Sequence, residues 1–216
     1  MPKDDRAEER LRMVETQIAA RGVKDERVLS VIRSLPRHLF IPAVYRDAAY
    51  SDCPLPIGKG QTISQPYIVA VMTELLAIQP EDLVLEIGAG SGYQAAILGK
   101  LAKSVISIER ISDVGEMAQE NLAYLEISNV KIVIGDGTVG YPEQAPYNAI
   151  LITAATPDVP PPLIEQLAEG GRLVAPVGSR DLQELVRVTK HKGQVTREYF
   201  GGVVFVPLLG RYGWNE

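Results

Sequence analysis

The sequence predicts an α/β protein with a doubly wound, mostly parallel seven-stranded sheet and an N-terminal helical extension. Two observations predict this fold. From residue 64 onward, short apolar runs alternate with helical patterns, as parallel βαβ units require. A glycine-rich turn at 88–92 separates the first of these runs from a helical pattern. The 216 residues suffice for one substantial domain of this kind.

The chain is predicted to begin with two helices. The first covers residues 5–20, and Gly22 follows it as a stop. The second covers residues 25–35 and ends at Pro36. The apolar face of the first helix consists of Leu11, Val14 and Ile18, and that of the second of Val28, Leu29, Ile32 and Leu35.

Residues 36–63 interrupt this regular pattern. They contain four prolines and two glycines, so they are predicted to be loops with little regular structure. A loop of this length in a compact domain is usually functional.

From residue 64 the predicted elements follow one another closely. Strands are predicted at 82–88, 104–109, 130–136, 147–155, 172–178, 182–190 and 203–209. Helices are predicted at 64–77, 91–102, 113–126 and 161–171. No helical pattern separates the last two strands, so part of that sheet edge is expected to be antiparallel. We therefore expect an N-terminal region, 1–63, packed on a core, 64–216, within a single domain.

Composition excludes several classes of protein. The net charge is −5 and no long Lys/Arg block occurs, which argues against a nucleic-acid partner. Cys53 is the only cysteine, so the chain forms no internal disulfide, and a reducing compartment is expected. No apolar run approaches 18 residues and the charged N-terminus is no secretory signal, so we expect a cytoplasmic protein without a membrane partner.

The glycine turn predicts a nucleotide-like ligand. Gly88 and Gly90 let a ligand approach the backbone, and the following helix offers free N–H groups. Tyr93 stands where the dinucleotide fingerprint has its third glycine. Glu86 precedes the turn and suits a cationic or hydroxyl-bearing ligand better than a pyrophosphate. S-adenosylmethionine carries a sulfonium, an ammonium and a ribose, and it is the predicted cofactor.

Two further acids support this prediction. Glu109 ends the second core strand, about 20 residues after Gly88, where an acid accepts hydrogen bonds from ribose hydroxyls. Asp136 and Gly137 follow the third strand, where a carboxylate can meet the adenine amino group. Two alternatives remain open at this point, a tight turn without a ligand and a site for NAD.

The acceptor region is poor in general bases. Residues 151–157 supply no acid, base or aromatic clamp, and His38 and His191 lack partner motifs. No strand–G-x-S-x-G–helix elbow and no spaced set of metal ligands is present. A carboxylate acceptor fits such a site, because it is already ionised at pH 7 and needs only to be oriented.

Several stretches resemble the protein-L-isoaspartate (D-aspartate) O-methyltransferase family, from about residue 10 to the C-terminus. They are RHLFIP (37–42), PIGKGQTISQP (56–66), VLEIGAGSGYQAAIL (84–98), GDGTVGYPEQAPYNAI (135–150), LIEQLAEGGRLVAPVG (163–178) and, more weakly, VVFVPLLG (203–210). The resemblance implies a Rossmann-like class I S-adenosylmethionine-dependent methyltransferase. It also implies methylation of the α-carboxylate of L-isoaspartyl residues, or D-aspartyl side chains, in damaged proteins and peptides. The ester then collapses to a succinimide.

The resemblance also assigns residues. Ser64 is the implied active-site residue beside the donor methyl group. The implied cofactor residues are Ile57, Gly58, Gly60, Gln61 and Thr62 in the covering loop, with Glu86, Gly88, Gly90, Glu109, Asp136 and Gly137. Backbone groups at Thr153, Ala154, Ala155 and Val206 are implied to hold the isoaspartyl peptide. No metal is implied, and the chain is expected to act as a monomer.

Ser64 also has a purely structural interpretation. It precedes an apolar helical run with Pro66 in its first turn, which is typical of a helix N-cap. Lys59 does not belong to a phosphate loop, because Cys53 and Gly60 break the Walker spacing, and it is interpreted as a solvated loop residue. Another S-adenosylmethionine-dependent O-methyltransferase, acting on a small carboxylic acid or hydroxyl, and a cofactor-binding protein without catalysis remain alternatives.

Overall fold

The structure, a computed structural model, describes residues 6–215. The α-helices within these residues are α1 (Ala7–Met13), α2 (Glu26–Ser34), α3 (Pro66–Leu76), α4 (Tyr93–Leu101), α5 (Ser112–Tyr124) and α6 (Pro161–Glu165). The strands are β1 (Leu55–Gly58), β2 (Gln61–Ile63), β3 (Leu83–Ile87), β4 (Ser104–Glu109), β5 (Val130–Ile134), β6 (Tyr147–Ile152), β7 (Leu167–Gly178), β8 (Gln183–His191) and β9 (Gln194–Val203).

The main sheet has seven strands in the order β5-β4-β3-β6-β7-β8-β9. Strands β3 to β7 pair in parallel, whereas β8 and β9 are antiparallel. Chain order reverses between β3 and β6, which makes that point the switch point of the sheet. The predicted doubly wound, mostly parallel sheet with an antiparallel edge is thus confirmed. None of the helices in the described part of the chain is long and apolar enough to cross a membrane.

The register of the central strands brings their carboxyl ends to one level. Ile87 at the end of β3 faces Ile108 of β4 and Ile152 of β6. The ladder continues one residue further, because Gly88 N–H donates to the Ile108 carbonyl at 2.8 Å and Thr153 N–H donates to the Ile87 carbonyl at 2.9 Å. The residues that follow the three strands therefore lie at the same edge of the sheet.

The N-terminal helices agree only partly with the sequence. Asp5, where the first helix was expected to begin, lies outside the described residues. So do residues 1–4 of the predicted N-terminal region and residue 216 of the predicted core. After α1 the chain makes a π-helical turn, Val14–Ile18, and a 3-10 turn, Ala19–Arg21. The prediction for Leu11 is wrong: it is 41% exposed, and Met13 is buried in its place, because the wider π turn rotates the face. The predicted face of α2 is buried as expected.

The prediction of irregular loops for residues 36–63 is wrong. Two 3-10 turns, Arg37–Phe40 and Ala43–Ala48, precede an antiparallel hairpin formed by β1 and β2. Its tip, Gly58-Lys59-Gly60, has three successive positive φ angles of 98°, 52° and 73°. The hairpin was not predicted because proline is uncommon within strands, and Pro56 lies within β1 of this small sheet.

The first 3-10 turn packs behind the glycine turn. Arg37 is fully buried, donates from Nε to the Ala49 carbonyl at 2.9 Å, and lies 5.2 Å from the centre of the Tyr93 ring. Phe40 meets the same ring edge-on at 5.2 Å. Burial lowers the pKa of Arg37 to about 10, which still leaves it charged at neutral pH. The RHLFIP stretch thus supports the start of α4.

Two C-terminal predictions are also wrong. The predicted helix at 161–171 is only the short α6, which ends at Glu165. The chain enters β7 at Leu167, so Gly170 and Gly171, which were expected to end the helix, lie inside that strand. The last strand is β9, and residues 204–209 are irregular. They cross back to the segment after β6, where Ala155 N–H donates to the Val206 carbonyl at 2.8 Å. Strand β9 was not predicted because nine of its ten residues are exposed and its apolar residues do not alternate along the strand.

One buried cluster contains residues from both sides of the predicted boundary at residue 63. Ile18 is fully buried in it, together with Val69 of α3 and Tyr93 of α4. We therefore expect Ile18→Ala to lower the free energy of unfolding of the whole chain by about 2–5 kcal/mol in a single transition. Leu11→Ala, on the exposed side of the same segment, serves as the control and should change it little. Denaturant titration followed by circular dichroism measures both, and a separate early transition in Ile18→Ala would contradict this expectation.

Candidate active site

An open cleft of about 980 Å³, solvent at its mouth included, lies at the carboxyl ends of β3, β4 and β6. Four segments form its walls: the end of the hairpin, the glycine turn, the chain between β4 and α5, and the irregular segment after β9. These segments come from distant parts of the sequence. The strand register described above brings them together.

The glycine turn forms the floor of the cleft. Gly88 has a φ of 97°, and a Cβ added to it would lie 2.4 Å from Thr153 Oγ1, so no other residue fits there. Gly90 lines the cleft and donates its N–H to Glu109 Oε2 at 3.0 Å. Both predicted glycines therefore lie in the cleft. The turn is closely packed against β6 while its inner side remains open.

Glu109 lies in the wall beside the glycine turn. Its two carboxylate oxygens accept hydrogen bonds from the N–H groups of Gly90 and Ile111, each at 3.0 Å. A carboxylate has about four acceptor positions, so two remain for the hydroxyls of a ribose. The side chain is 7% exposed and lines the cleft.

Glu86 is fully buried beneath the cleft and does not line it. Ser107 on the neighbouring strand donates a short hydrogen bond to Oε2, whereas Oε1 has no partner among the described residues. Burial raises the pKa of Glu86 to about 8, and the nearby charge of Glu109 adds to this effect. The buried acid therefore holds a proton at neutral pH and would gain from an added cation.

Asp136 lies outside the lining of the cleft, although Gly137 beside it is part of the lining. Its Oδ1 accepts from the N–H and hydroxyl of Thr138, and its Oδ2 accepts from the Arg211 N–H at 2.8 Å. Burial opposes ionisation of this carboxyl group, but these hydrogen bonds outweigh it and lower the pKa. The carboxylate thus fixes the C-terminal segment, and Oδ2 keeps one acceptor position for a further donor.

The hairpin contributes the remaining predicted residues. Gln61, Thr62 and Ser64 line the cleft, whereas Gly58 and Gly60 belong to the tip and do not. Ile57 approaches the glycine turn from above, with its Cδ1 atom 3.7 Å from the position that a Cβ on Gly90 would take. The hairpin therefore covers one side of the cleft.

The structural interpretation of Ser64 as a helix cap is wrong. Helix α3 begins at Pro66, its N-cap residue is Gln65, and no side chain caps it. Pro66 has no N–H to be capped, and because the helix starts there, the N-cap position falls on Gln65, one residue after Ser64. Ser64 is half-buried, lines the cleft, and its hydroxyl makes no hydrogen bond to the described residues. Its hydroxyl is available to a ligand.

Some of the predicted acceptor residues use their hydrogen-bond donors within the protein, and others leave a donor free for a ligand. The hydroxyl of Thr153 bonds to the carbonyls of Ile87 and Gly88, and its N–H is part of the ladder. The N–H of Ala155 is bound by the Val206 carbonyl. Ala154 lines the cleft and its N–H has no partner in residues 6–215. Val206 also lines the cleft, so Ala154 and Val206 are the predicted acceptor residues whose N–H groups have no partner within residues 6–215.

Several lining residues were not predicted from the sequence. They are Ile63, Val69, Met72, Ile87, Ala89, Ser91, Tyr93, Gln94, Ile108, Arg110, Ile111, Phe205, Pro207, Leu208 and Leu209. Most are apolar neighbours of predicted positions, and only the three-dimensional path of residues 205–209 brings that segment to the cleft. Within the described residues, no group of three metal-ligating side chains occurs.

The chain matches a known family over almost its full length. The profile of protein-L-isoaspartate(D-aspartate) O-methyltransferase matches residues 8–213. The chain belongs to this family. It is 62% identical over 213 residues to the protein-L-isoaspartate O-methyltransferase of Methanospirillum hungatei, covering 99% of both chains. It is 58% identical over 215 residues to that of Methanoculleus marisnigri, covering 100% of this chain and 98% of the relative.

Solved structures agree with this assignment. One protein-L-isoaspartate O-methyltransferase superposes with a TM-score of 0.83 at 30% identity, over 96% of this chain and 67% of the other. A second, from Plasmodium falciparum and in complex with S-adenosyl-L-homocysteine, superposes with a TM-score of 0.80 at 26% identity, over 93% and 98% of the two chains. The predicted class of fold and the predicted cofactor, S-adenosylmethionine, are confirmed.

The residues of the cleft fit this cofactor. Oε1 of Glu86 is buried without a partner, and a nearby cation would favour the ionised form of this carboxyl group. The glycine turn excludes a side chain at Gly88, and Glu109 retains acceptor positions for hydroxyl groups.

The raised pKa of Glu86 predicts how stability depends on pH. Between the unfolded value of 4.5 and the folded value of about 8, the folded chain holds one proton more than the unfolded chain. Stability is therefore highest below pH 4.5 as far as this group is concerned, and it falls as pH rises towards 8, by up to about 1.4 kcal/mol per unit. Glu86→Gln should remove this fall and make the cofactor-free protein more stable than the wild type at pH 8.

Chemical denaturation from pH 5 to 9, without cofactor, measures the effect. Glu120→Gln, which changes an exposed glutamate, is the matched control and should follow the wild type. Parallel profiles for wild type and Glu86→Gln would show that Glu86 is ionised in the folded protein.

Proposed function

We propose that this chain transfers the methyl group of S-adenosylmethionine to the α-carboxylate of L-isoaspartyl residues, and to D-aspartyl side chains, in damaged proteins and peptides. Family membership supports the reaction. The observation that most supports this reaction in the cleft is its acceptor side, which offers a free hydroxyl at Ser64 and a free N–H at Ala154 without any general base.

Such a site suits a carboxylate. A carboxylate with a pKa near 4 is ionised at pH 7 and needs no base to remove a proton. Ser64 and Ala154 each donate one hydrogen bond to it, and such charge-assisted bonds are stronger than neutral ones. Alignment of the acceptor oxygen can contribute about 7–11 kcal/mol in favourable cases. Ser64 is therefore a positioning donor in the site and neither a nucleophile nor a base.

The cofactor residues have separate roles in this proposal. S-adenosylmethionine, when bound, supplies an electrophilic methyl group on a sulfonium. A cation bound near Glu86 would lower its raised pKa and so allow it to carry negative charge beneath the glycine turn, and Glu109 would accept from ribose hydroxyls. Gly137 lines the cleft and would lie beside the adenine, and Asp136 Oδ2, just outside the lining, would offer its remaining acceptor position to the adenine amino group. The hairpin would cover the bound cofactor, and its assigned residues are Ile57, Gly58, Gly60, Gln61 and Thr62.

The geometry of the substrate explains the selectivity. In an isoaspartyl linkage the main chain runs through the side-chain carbonyl, so the free carboxylate is attached directly to Cα. In a normal aspartyl residue it stands one methylene further from the main chain. A site that holds the main chain and the carboxylate at a fixed separation discriminates between the two. The methyl ester then loses methanol when the following peptide nitrogen attacks its carbonyl carbon, and a succinimide forms.

The wider properties belong to the same proposal. The net charge of −5 supports a protein without a nucleic-acid partner. We propose a cytoplasmic monomer without a membrane partner, built as a core, 64–216, with the N-terminal region, 1–63, packed on it. The other candidate function is O-methylation of a small carboxylic acid or hydroxyl, which the same open cleft could accept.

A pair of peptides tests the reaction. We expect labelled S-adenosylmethionine to methylate an isoaspartyl peptide and to leave its normal aspartyl counterpart unlabelled. Equal labelling of both peptides, or of neither, would contradict the proposal. Turnover of free carboxylic acids with an inert isoaspartyl peptide would favour the second function instead.

The role of Ser64 is tested separately. Ser64→Ala should lower kcat for the isoaspartyl peptide about 10- to 100-fold, because one hydrogen bond to a charged group is lost. The dissociation constant of S-adenosyl-L-homocysteine should remain within about threefold of wild type on the same physical grounds. Ser51→Ala, a similar change outside the cleft, is the control. A loss of folding stability that accounts for the lost activity would overturn this role.

A further inference from the structure

An ion pair joins the tip of the hairpin to the opposite side of the cleft. Lys59 Nζ lies 2.6 Å from Asp113 Oδ2. Lys59 is the middle residue of the tip, and Asp113 lies in the first turn of α5. The sequence assigned Lys59 no role beyond that of a solvated loop residue.

The pair spans the cleft. On the hairpin side, Gln61 and Thr62 line the cleft two and three residues after Lys59. On the other side, Glu109 and Ile111 line it shortly before Asp113. The two walls are therefore connected across the region that the cofactor occupies in the proposed function.

In the described part of the chain, no second polar side-chain contact holds the hairpin in this way. Within residues 6–215, this pair is the only salt bridge or side-chain hydrogen bond that connects the hairpin, 55–63, with another part of the chain. The base of the hairpin is held by buried Leu55, Ile57 and Ile63, whereas its tip is exposed. Lys59 adopts a φ of 52° between two glycines that also have positive φ, so the tip has a defined backbone shape.

We propose that Lys59 and Asp113 are a positioning pair that holds the hairpin, and with it Ser64, closed over the cofactor cleft. The pair touches no reacting atom and acts through the hairpin. It rests on the proposed function in one respect, namely that the cofactor lies in this cleft. Cofactor exchange then requires the pair to separate.

The exposure of the pair limits its strength. The two side chains are 57% and 65% exposed, so water and salt weaken their attraction. Exposed pairs of this kind typically change an equilibrium by about 1.4- to 5-fold at low ionic strength. The expected effect on cofactor exchange is therefore a few-fold change that disappears in concentrated salt.

The test uses S-adenosyl-L-homocysteine and the full chain. The variants are Lys59→Ala, Asp113→Ala, their double variant, Lys59→Arg, and the charge exchange Lys59→Asp with Asp113→Lys. Lys103→Ala, which breaks a similarly exposed pair with Glu81 away from the cleft, is the matched control. Stopped-flow measurement gives the dissociation rate, and calorimetry gives the dissociation constant.

At low salt we expect each alanine variant to release S-adenosyl-L-homocysteine about 2- to 5-fold faster than wild type. The double variant should resemble either single one, while the charge exchange and Lys59→Arg should restore slow release. The differences should vanish at about 1 M salt, where screening is nearly complete. Additive effects in the double variant, no rescue by the charge exchange, or release at the wild-type rate would each overturn the proposal.

A second readout separates this proposal from the proposed function. Hydrogen exchange of the amides at 58–63 in the cofactor-free protein should be faster in Lys59→Ala than in wild type or Lys103→Ala. If the wild type binds no S-adenosyl-L-homocysteine, the proposed function fails, and this exchange still decides whether the pair holds the hairpin. Unchanged exchange would overturn the positioning role whatever the cofactor result.

Discussion

The parallel register of β3 with β4 and β6 is the constraint on which the site depends. It places Ile87, Ile108 and Ile152 side by side, and the ladder bonds from Gly88 and Thr153 extend that alignment beyond the strands. Because of it, the glycine turn, the acid at the end of β4 and the acceptor loop after β6 reach one edge together. A shift of one residue in β3 would turn Glu86 to the opposite face of the sheet and move the glycines out of the cleft.

This constraint also explains which features the sequence could predict. Alternating apolar strands and helices, the glycine turn and the acids at strand ends are local patterns, so the parallel core and the candidate cofactor residues at the strand ends could be predicted from them. The hairpin did not follow, because its strands are short and contain proline. Strand β9 did not follow either, because its residues are exposed on both faces. Which backbone donors remain free at 153–155 depends on residues 206–208, a contact between distant segments.

Charged and neutral groups lie on different sides of the proposed site, one side for the cofactor and the other for the acceptor. In the proposed function acids dominate the cofactor side, where burial raises the pKa of Glu86 to about 8 and two N–H groups donate to Glu109. The acceptor side has neutral donors, a hydroxyl and an N–H, which suit an anion that is already formed. In the proposed function the hairpin belongs to both sides, since Gln61 and Thr62 line the cleft and Ser64 follows directly after β2.

A crystal structure of the chain with S-adenosyl-L-homocysteine and an isoaspartyl peptide would show directly whether the cleft binds both as proposed. We expect the ribose hydroxyls to contact Glu109, and the peptide carboxylate to accept hydrogen bonds from Ser64 and the Ala154 N–H while facing the cofactor sulfur. A carboxylate bound elsewhere, or a ribose away from Glu109, would contradict the proposal.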